Sequence, residues 1–153
     1  AGSGNDIIKG GNGYDQVWGD AGNDILYGEG GADKLQGGEG NDYYIGGAGG
    51  DLLYLWDNDN ARDLLIFSPL HSGAPGGSID RVEGFTSGQD MIDLRTFGST
   101  IIYSGSRFAG AGTASFAYDG NSLLFDADAN GIAEMSIQFA WTPKLVAADF
   151  LLA

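Results

Sequence analysis

The chain has 153 residues, a formal net charge of −14 and no cysteine. That length suits one or two small domains with one modest core, and the missing cysteines exclude a disulfide framework and a thiolate metal site. So acidic a balance argues against nucleic acid and anionic membranes as partners and suits divalent cations. The charge lies mostly early: residues 1–63 carry −9 and residues 64–153 carry −5. No run is apolar enough to insert in a membrane as a helix, and no N-terminal signal-peptide pattern is present.

Residues 1–54 divide into six nine-residue units without insertion: AGSGNDIIK, GGNGYDQVW, GDAGNDILY, GEGGADKLQ, GGEGNDYYI and GGAGGDLLY. The fourth position is always glycine (Gly4, Gly13, Gly22, Gly31, Gly40, Gly49) and the sixth always aspartate (Asp6, Asp15, Asp24, Asp33, Asp42, Asp51). The eighth is always large and apolar: Ile8, Val17, Leu26, Leu35, Tyr44, Leu53. Because the chain opens inside this array, it reads as a fragment that follows an N-terminal passenger domain.

Each unit has a glycine-rich half ending in aspartate, then a triplet with an apolar centre. The first half suits a turn with positive φ and crowded carbonyls; the triplet reads as a very short strand with one residue inward and two outward. Two turns and two strands close a coil, so eighteen residues return the chain one strand spacing higher. Stacked coils lie roughly 4.8 Å apart, and calcium binds oxygen at about 2.4 Å. An ion midway between two loops can therefore take oxygens from both. Asp6, Asp24 and Asp42 form one column, and Asp15, Asp33 and Asp51 the other. Without a cation these aspartates repel across a core one side chain thick, so metal binding and folding are expected to be one event.

The pattern resembles the GGxGxDxUx nonapeptide of the RTX calcium-binding family, where U is a large apolar residue. The resemblance implies an all-β fold: a right-handed parallel β-roll (a β-helix or solenoid) over residues 1–63, then a β-sandwich-like cap over residues 64–153. It also implies that the second, fourth and sixth positions of one loop pair with the first, third and sixth of the loop two units on. Carried onto this chain, Asp6 and Asp24 share an ion with carbonyls of Gly2, Gly4, Gly19 and Ala21. Asp15 and Asp33 share one with Gly11, Gly13, Gly28 and Gly30. One level up, Asp24 and Asp42 combine with Asp20, Gly22, Gly37 and Glu39, and Asp33 and Asp51 with Glu29, Gly31, Gly46 and Ala48. Gly38 and Gly40 beside Asp42 begin a further site, so about four calcium ions or more are expected. Asp20 and Glu29 replace the second glycine, which matters little if that position gives only its carbonyl.

After Tyr54 the pattern breaks. Asp57 and Asp59 read either as ligands completing a terminal calcium site or as a solvated acidic turn. SPLHSGAPGGS is a loop, and its lone His71 is a surface residue rather than a zinc ligand or base. From Ser78 the text is β-like, and residues 122–126 and 133–139 read as a hairpin. The phrases IDRVEGFTSGQDMIDL, LLFDADANGIAEMSIQF and AADFLL resemble the C-terminal domain of serralysin-type secreted metalloproteases. Asp149, Phe150, Leu151 and Leu152 resemble an uncleaved type I secretion signal and equally an ordinary last strand. Residues 126–131 match the start of an EF-hand loop, but Ile137 stands where the acidic twelfth ligand belongs, so a hairpin turn is expected. The outward positions Ile7, Ile25, Tyr27, Tyr43 and Ile45 form an apolar ladder, expected to pack against the C-terminal β region or the passenger.

Three functional readings follow. The first is a non-catalytic, calcium-responsive module of an extracellular bacterial exoprotein, with the type I secretion apparatus as partner. The second is a polysaccharide-binding (alginate-binding) module like those of mannuronan epimerases, with Trp18, Tyr54 or Trp56 stacking on sugars. The third, an enzyme, lacks any HExxH, GxSxG or paired carboxylates in a plausible cleft, although the parent protein is expected to be an exoenzyme such as a protease or lipase.

Overall fold

The computed structural model describes residues 1–56, 59–68, 79–97, 102–103, 115–118, 120–126 and 135–152. Seven strands come from the repeats: β1 (Gly2–Ser3), β2 (Ile7–Asn12), β3 (Gln16–Ala21), β4 (Ile25–Gly30), β5 (Lys34–Glu39), β6 (Tyr43–Ala48) and β7 (Leu52–Tyr54). They alternate between two sheets, odd-numbered strands in one and even-numbered in the other, and all pair in parallel. The register is eighteen residues, as the period demands: Ile8 lies beside Leu26 and Val17 beside Leu35.

The strands are longer than the apolar triplet. β2 to β6 run six residues each, into the third position of the following unit. The pairing skips the first-position glycine, passing from Lys9 beside Tyr27 to Gly11 beside Glu29. A second-position residue at positive φ turns the corner there, and the ladder resumes beyond it. Val17, Leu26, Leu35, Tyr44 and Leu53 are all buried between the sheets, and flanking residues point outward.

The roll does not stop with the repeats. β8 (Leu64–Ile66) stacks on β6, β9 (Asp80–Glu83) on β7, β10 (Met91–Asp93) on β8, and β15 (Phe150–Leu151) on β10, all parallel. The register steps lengthen, Tyr43 to Leu64 and Leu52 to Arg81, because extra chain is looped out between strands. Position 63/64 therefore falls inside a continuous stack. β11 (Ile102–Tyr103), β12 (Ser115–Tyr118), β13 (Ser122–Asp126) and β14 (Met135–Phe139) extend the sheet that contains β9, with β12–β13 and β13–β14 antiparallel. The expected hairpin is β13–β14. The sandwich-like end is thus grown from the roll's own sheets, closed by aromatic packing of Phe116 on Phe150 (centroids 4.8 Å apart) and Phe97 on Phe125 (5.0 Å).

One packing expectation is corrected. The C-terminal strands add to sheet edges and do not cover the apolar ladder, so Ile7 stays 69% and Tyr43 42% exposed. Asp57, His71 and residues 127–131 of the EF-hand-like stretch lie outside the described residues.

Candidate metal centres

The turn between strands fixes each aspartate. Fourth-position glycines all take positive φ, from 114° at Gly13 to 136° at Gly49, and a Cβ on Gly31 or Gly49 would drive into the carbonyl of Gly13 or Gly31 one coil below. Only glycine fits there. The second position also takes positive φ, even where it is Asp20 (81°) or Glu29 (75°). Their substitution for glycine is therefore not neutral: each side chain holds a left-handed backbone that it disfavours.

Within this frame the aspartates form two ladders. The backbone N–H of Asp6 donates to Asp24 Oδ1 (2.7 Å), Asp15 to Asp33 (2.8 Å), Asp24 to Asp42 (2.8 Å) and Asp33 to Asp51 (2.9 Å). One carboxylate oxygen per residue is thus satisfied by the coil below. The other is not: Oδ2 of Asp15, Asp24, Asp33 and Asp51 is buried with no hydrogen-bond partner among the described residues. A buried orphan acceptor costs about 1–3 kcal/mol, more when charged, so four in register require an account.

The first-position glycines show what these oxygens face. A Cβ built on Gly10 would meet Asp15 Oδ2 at 3.1 Å and the Gly28 carbonyl oxygen at 2.9 Å. On Gly19 it would meet Asp24 Oδ2 and the Gly37 carbonyl, and on Gly28 it would meet Asp33 Oδ2 and the Gly46 carbonyl. Carboxylate and carbonyl oxygens from successive coils therefore converge on one small space at each level. A hard divalent cation fits oxygen donors of this kind, with neither nitrogen nor sulfur among them. The third-position carbonyls of Ala21, Gly30, Glu39 and Ala48 each accept the fourth-position N–H of the coil below, at 2.6–2.8 Å, and keep a second lone pair.

Without a cation the column resists ionisation. Burial pushes the Asp33 carboxyl above its ordinary range; the Asp15 backbone hydrogen bond opposes this, and the Asp15 charge adds to it. Asp51 is pushed up to about 6, by burial first, against the Asp33 N–H and with the Asp33 charge.

Sequence reasoning missed several residues. Asp63, Asp80 and Asp90 continue the ladders: the N–H of Asp42 donates to Asp63 Oδ1 (2.9 Å), Asp51 to Asp80 (2.9 Å) and Asp63 to Asp90 (3.2 Å). The available signal was Asp-x-apolar, in Asp63–Leu65, Asp80–Val82 and Asp90–Ile92, whose apolar members are all buried. Asp63, not Asp59, stands over Asp42. Asp59 accepts the N–H of Gly40 (2.5 Å) and of Ala61 (2.7 Å), replacing the third-position carbonyl that the broken repeat no longer supplies. An asparagine ladder was also missed: Asn5 accepts from the Asn23 N–H (2.9 Å), Asn23 from Asn41 (2.8 Å) and Asn41 from Arg62 (2.7 Å).

The first 53 residues match the family model described as RTX calcium-binding nonapeptide repeat, in four copies over residues 1–35 and 22–53. This segment is an RTX calcium-binding repeat array. Among solved structures, the chain is similar to the AlgE6R2 subunit of the Azotobacter vinelandii mannuronan C5-epimerase, with 22% identity and a TM-score of 0.58, covering 96% of this chain and 91% of that one. That likeness bears on the fold. The AlgE6R3 subunit of the same enzyme is 27% identical over 97% of this chain and 78% of that one, with a TM-score of 0.45. No curated protein matches the chain.

The C-terminal motif is folded in. Asp149 is fully buried, its Oδ1 accepting the Gly88 N–H (2.7 Å) and its Oδ2 the Ser87 hydroxyl (2.8 Å) and the Val146 N–H (2.7 Å). Phe150 is buried and Leu152 is exposed.

Proposed function

We propose that this chain is the non-catalytic C-terminal module of a type I-secreted bacterial exoprotein, which folds on meeting extracellular calcium and so stabilises its passenger. The observation that carries the reading is the register of orphan Oδ2 atoms on Asp15, Asp24, Asp33 and Asp51. When bound, calcium supplies the positive charge that these oxygens and the converging glycine carbonyls lack. Asp15 and Asp33, and the pairs above them, would hold it with carbonyls of the first four positions. Before export, at low calcium, the unneutralised column disfavours the roll and leaves the chain extended for passage through a narrow channel. Outside the cell, ligand binding to the folded form alone pulls folding forward. The serralysin-like phrases after the repeats support a protease-like parent; lipase- and epimerase-like parents carry the same kind of module.

The test is far-UV circular dichroism of chelator-stripped protein titrated with calcium, with calorimetry for stoichiometry. A coil-to-β transition that magnesium fails to reproduce is expected; a fully folded calcium-free protein would refute the switch. Polysaccharide binding is the second reading, favoured by Trp18 and Trp56, each 45% exposed. Alginate oligomers that bind in calcium and lose affinity in Trp18→Ala would support it.

A further inference from the structure

The two aspartate columns end differently. Above the repeats, the column of Asp6, Asp24 and Asp42 continues to Asp63 and Asp90. At its top Asp90 Oδ2 accepts the Thr86 N–H at 2.7 Å, and the turn over residues 86–90 is held by Thr86 carbonyl bonds to the N–H groups of Gln89 (3.1 Å) and Asp90 (2.9 Å). Gln89 also reaches down to the Ala61 carbonyl (2.5 Å). That end is closed by protein hydrogen bonds.

The column of Asp15, Asp33 and Asp51 ends on Asp80. Asp80 is buried and takes the Asp51 N–H at 2.9 Å, the geometry Asp51 has over Asp33 and Asp33 over Asp15. Asp51 is itself only 1% exposed, and its Oδ2 has no partner among the described residues. That oxygen is aimed upward: it lies against Gly46, as Asp33 Oδ2 lies against Gly28 and Asp15 Oδ2 against Gly10, on the side facing the next coil. At the lower levels a carbonyl of that next coil meets it; here the next coil presents Asp80. The neighbouring cation is engaged elsewhere, since Arg81 points outward and pairs with Glu83 at 3.1 Å.

We propose that a further divalent cation, of the calcium class, binds between Asp51 and Asp80, at a site half of which lies outside the nonapeptide array. Asp51 Oδ2 and the Asp80 carboxylate are its acidic donors, with water completing the shell of an ion that takes six to eight oxygens. The inference rests on the calcium reading above and extends it to a residue twenty-nine positions beyond the last repeat aspartate. It also makes calcium the clamp between the repeats and β9, the strand that carries β14 and its hairpin.

Two measurements on the full chain test it. Native mass spectrometry should count one calcium fewer in Asp80→Asn than in the unchanged chain, since Asn retains an acceptor for the Asp51 N–H but not the charge. An equal count would overturn the proposal. Should the variant fail to fold, crystals of the unchanged chain soaked with terbium decide: an anomalous peak against Asp51 Oδ2 and Asp80 is expected. Peaks at the Asp15–Asp33 level with none at Asp51–Asp80 would overturn this site and leave the calcium reading standing. No peak at any level would overturn both.

Discussion

Asp33→Asn separates metal ligation from ordinary hydrogen bonding. Asp33 stands at the centre of its column, over Asp15 and under Asp51. Its Oδ1 accepts the Asp15 N–H at 2.8 Å, and an asparagine oxygen in the same place accepts the same bond. What the substitution removes is the charge and the second carboxylate oxygen, Oδ2, which has no partner among the described residues. On the shared-ion scheme Asp33 serves two levels. With calcium at about a hundred times its dissociation constant, each lost ion removes about 2.7 kcal/mol of linkage stability, so about 5 kcal/mol is at stake if both levels empty. In chelator the sign reverses: burial opposes ionisation of Asp33, so the neutral amide leaves the metal-free roll equally or more stable. Paired urea melts, with calcium and with chelator, measure both arms. Equal destabilisation in the two would refute ligation and reduce Asp33 to a hydrogen-bonding and packing residue.

Glu29→Gly should stabilise the protein by about 1 kcal/mol in a thermal melt, because φ there is 75° and the lost 3.4 Å pair with Lys9 is too exposed to contribute much. An unchanged or lowered melting temperature would show that the left-handed strain is relieved some other way. Leu35→Ala opens a cavity between the sheets, where Leu35 is fully buried, and should cost about 3–5 kcal/mol in calcium-saturated denaturation. For pH, the metal-free fold holds Asp51 at about 6, above its ordinary 3.8. A raised folded value means that the contribution is fully present below about pH 4 and is lost as pH rises through about 6. Chelated protein should therefore fold better on acidification, while calcium affinity falls over the same window as protons compete for the carboxylate. Calcium titrations at pH 5 and 7.5 check both directions.

How far the sequence could be read depended on whether the period survived. In the repeats, Gly31 and Gly49 are fixed by backbone packing and Leu26 and Leu35 by the core, each once per coil, so spacing alone gave the inward positions and the eighteen-residue register. The orphan oxygens of Asp15, Asp24, Asp33 and Asp51 followed from that register, because residues eighteen apart must stack. Beyond Tyr54 the coil length changes at every step, to twenty-one between Asp42 and Asp63 and twenty-nine between Asp51 and Asp80, and a search by period fails. What persists is smaller. A stacked strand still needs one inward apolar residue, and the ladder still needs a carboxylate two positions before it to take the N–H of the coil below. Asp63–Leu65, Asp80–Val82 and Asp90–Ile92 keep that tripeptide after every glycine of the motif has gone. The glycines serve the tight turn, so they vanish where the loops lengthen; the aspartate and the hydrophobe serve the stack, so they stay as long as the stack does. A column therefore ends where a carboxylate finds a protein donor for its second oxygen, as Asp90 does in the Thr86 N–H. Asp51 finds none, which is why the even column is open to one more ion at its top.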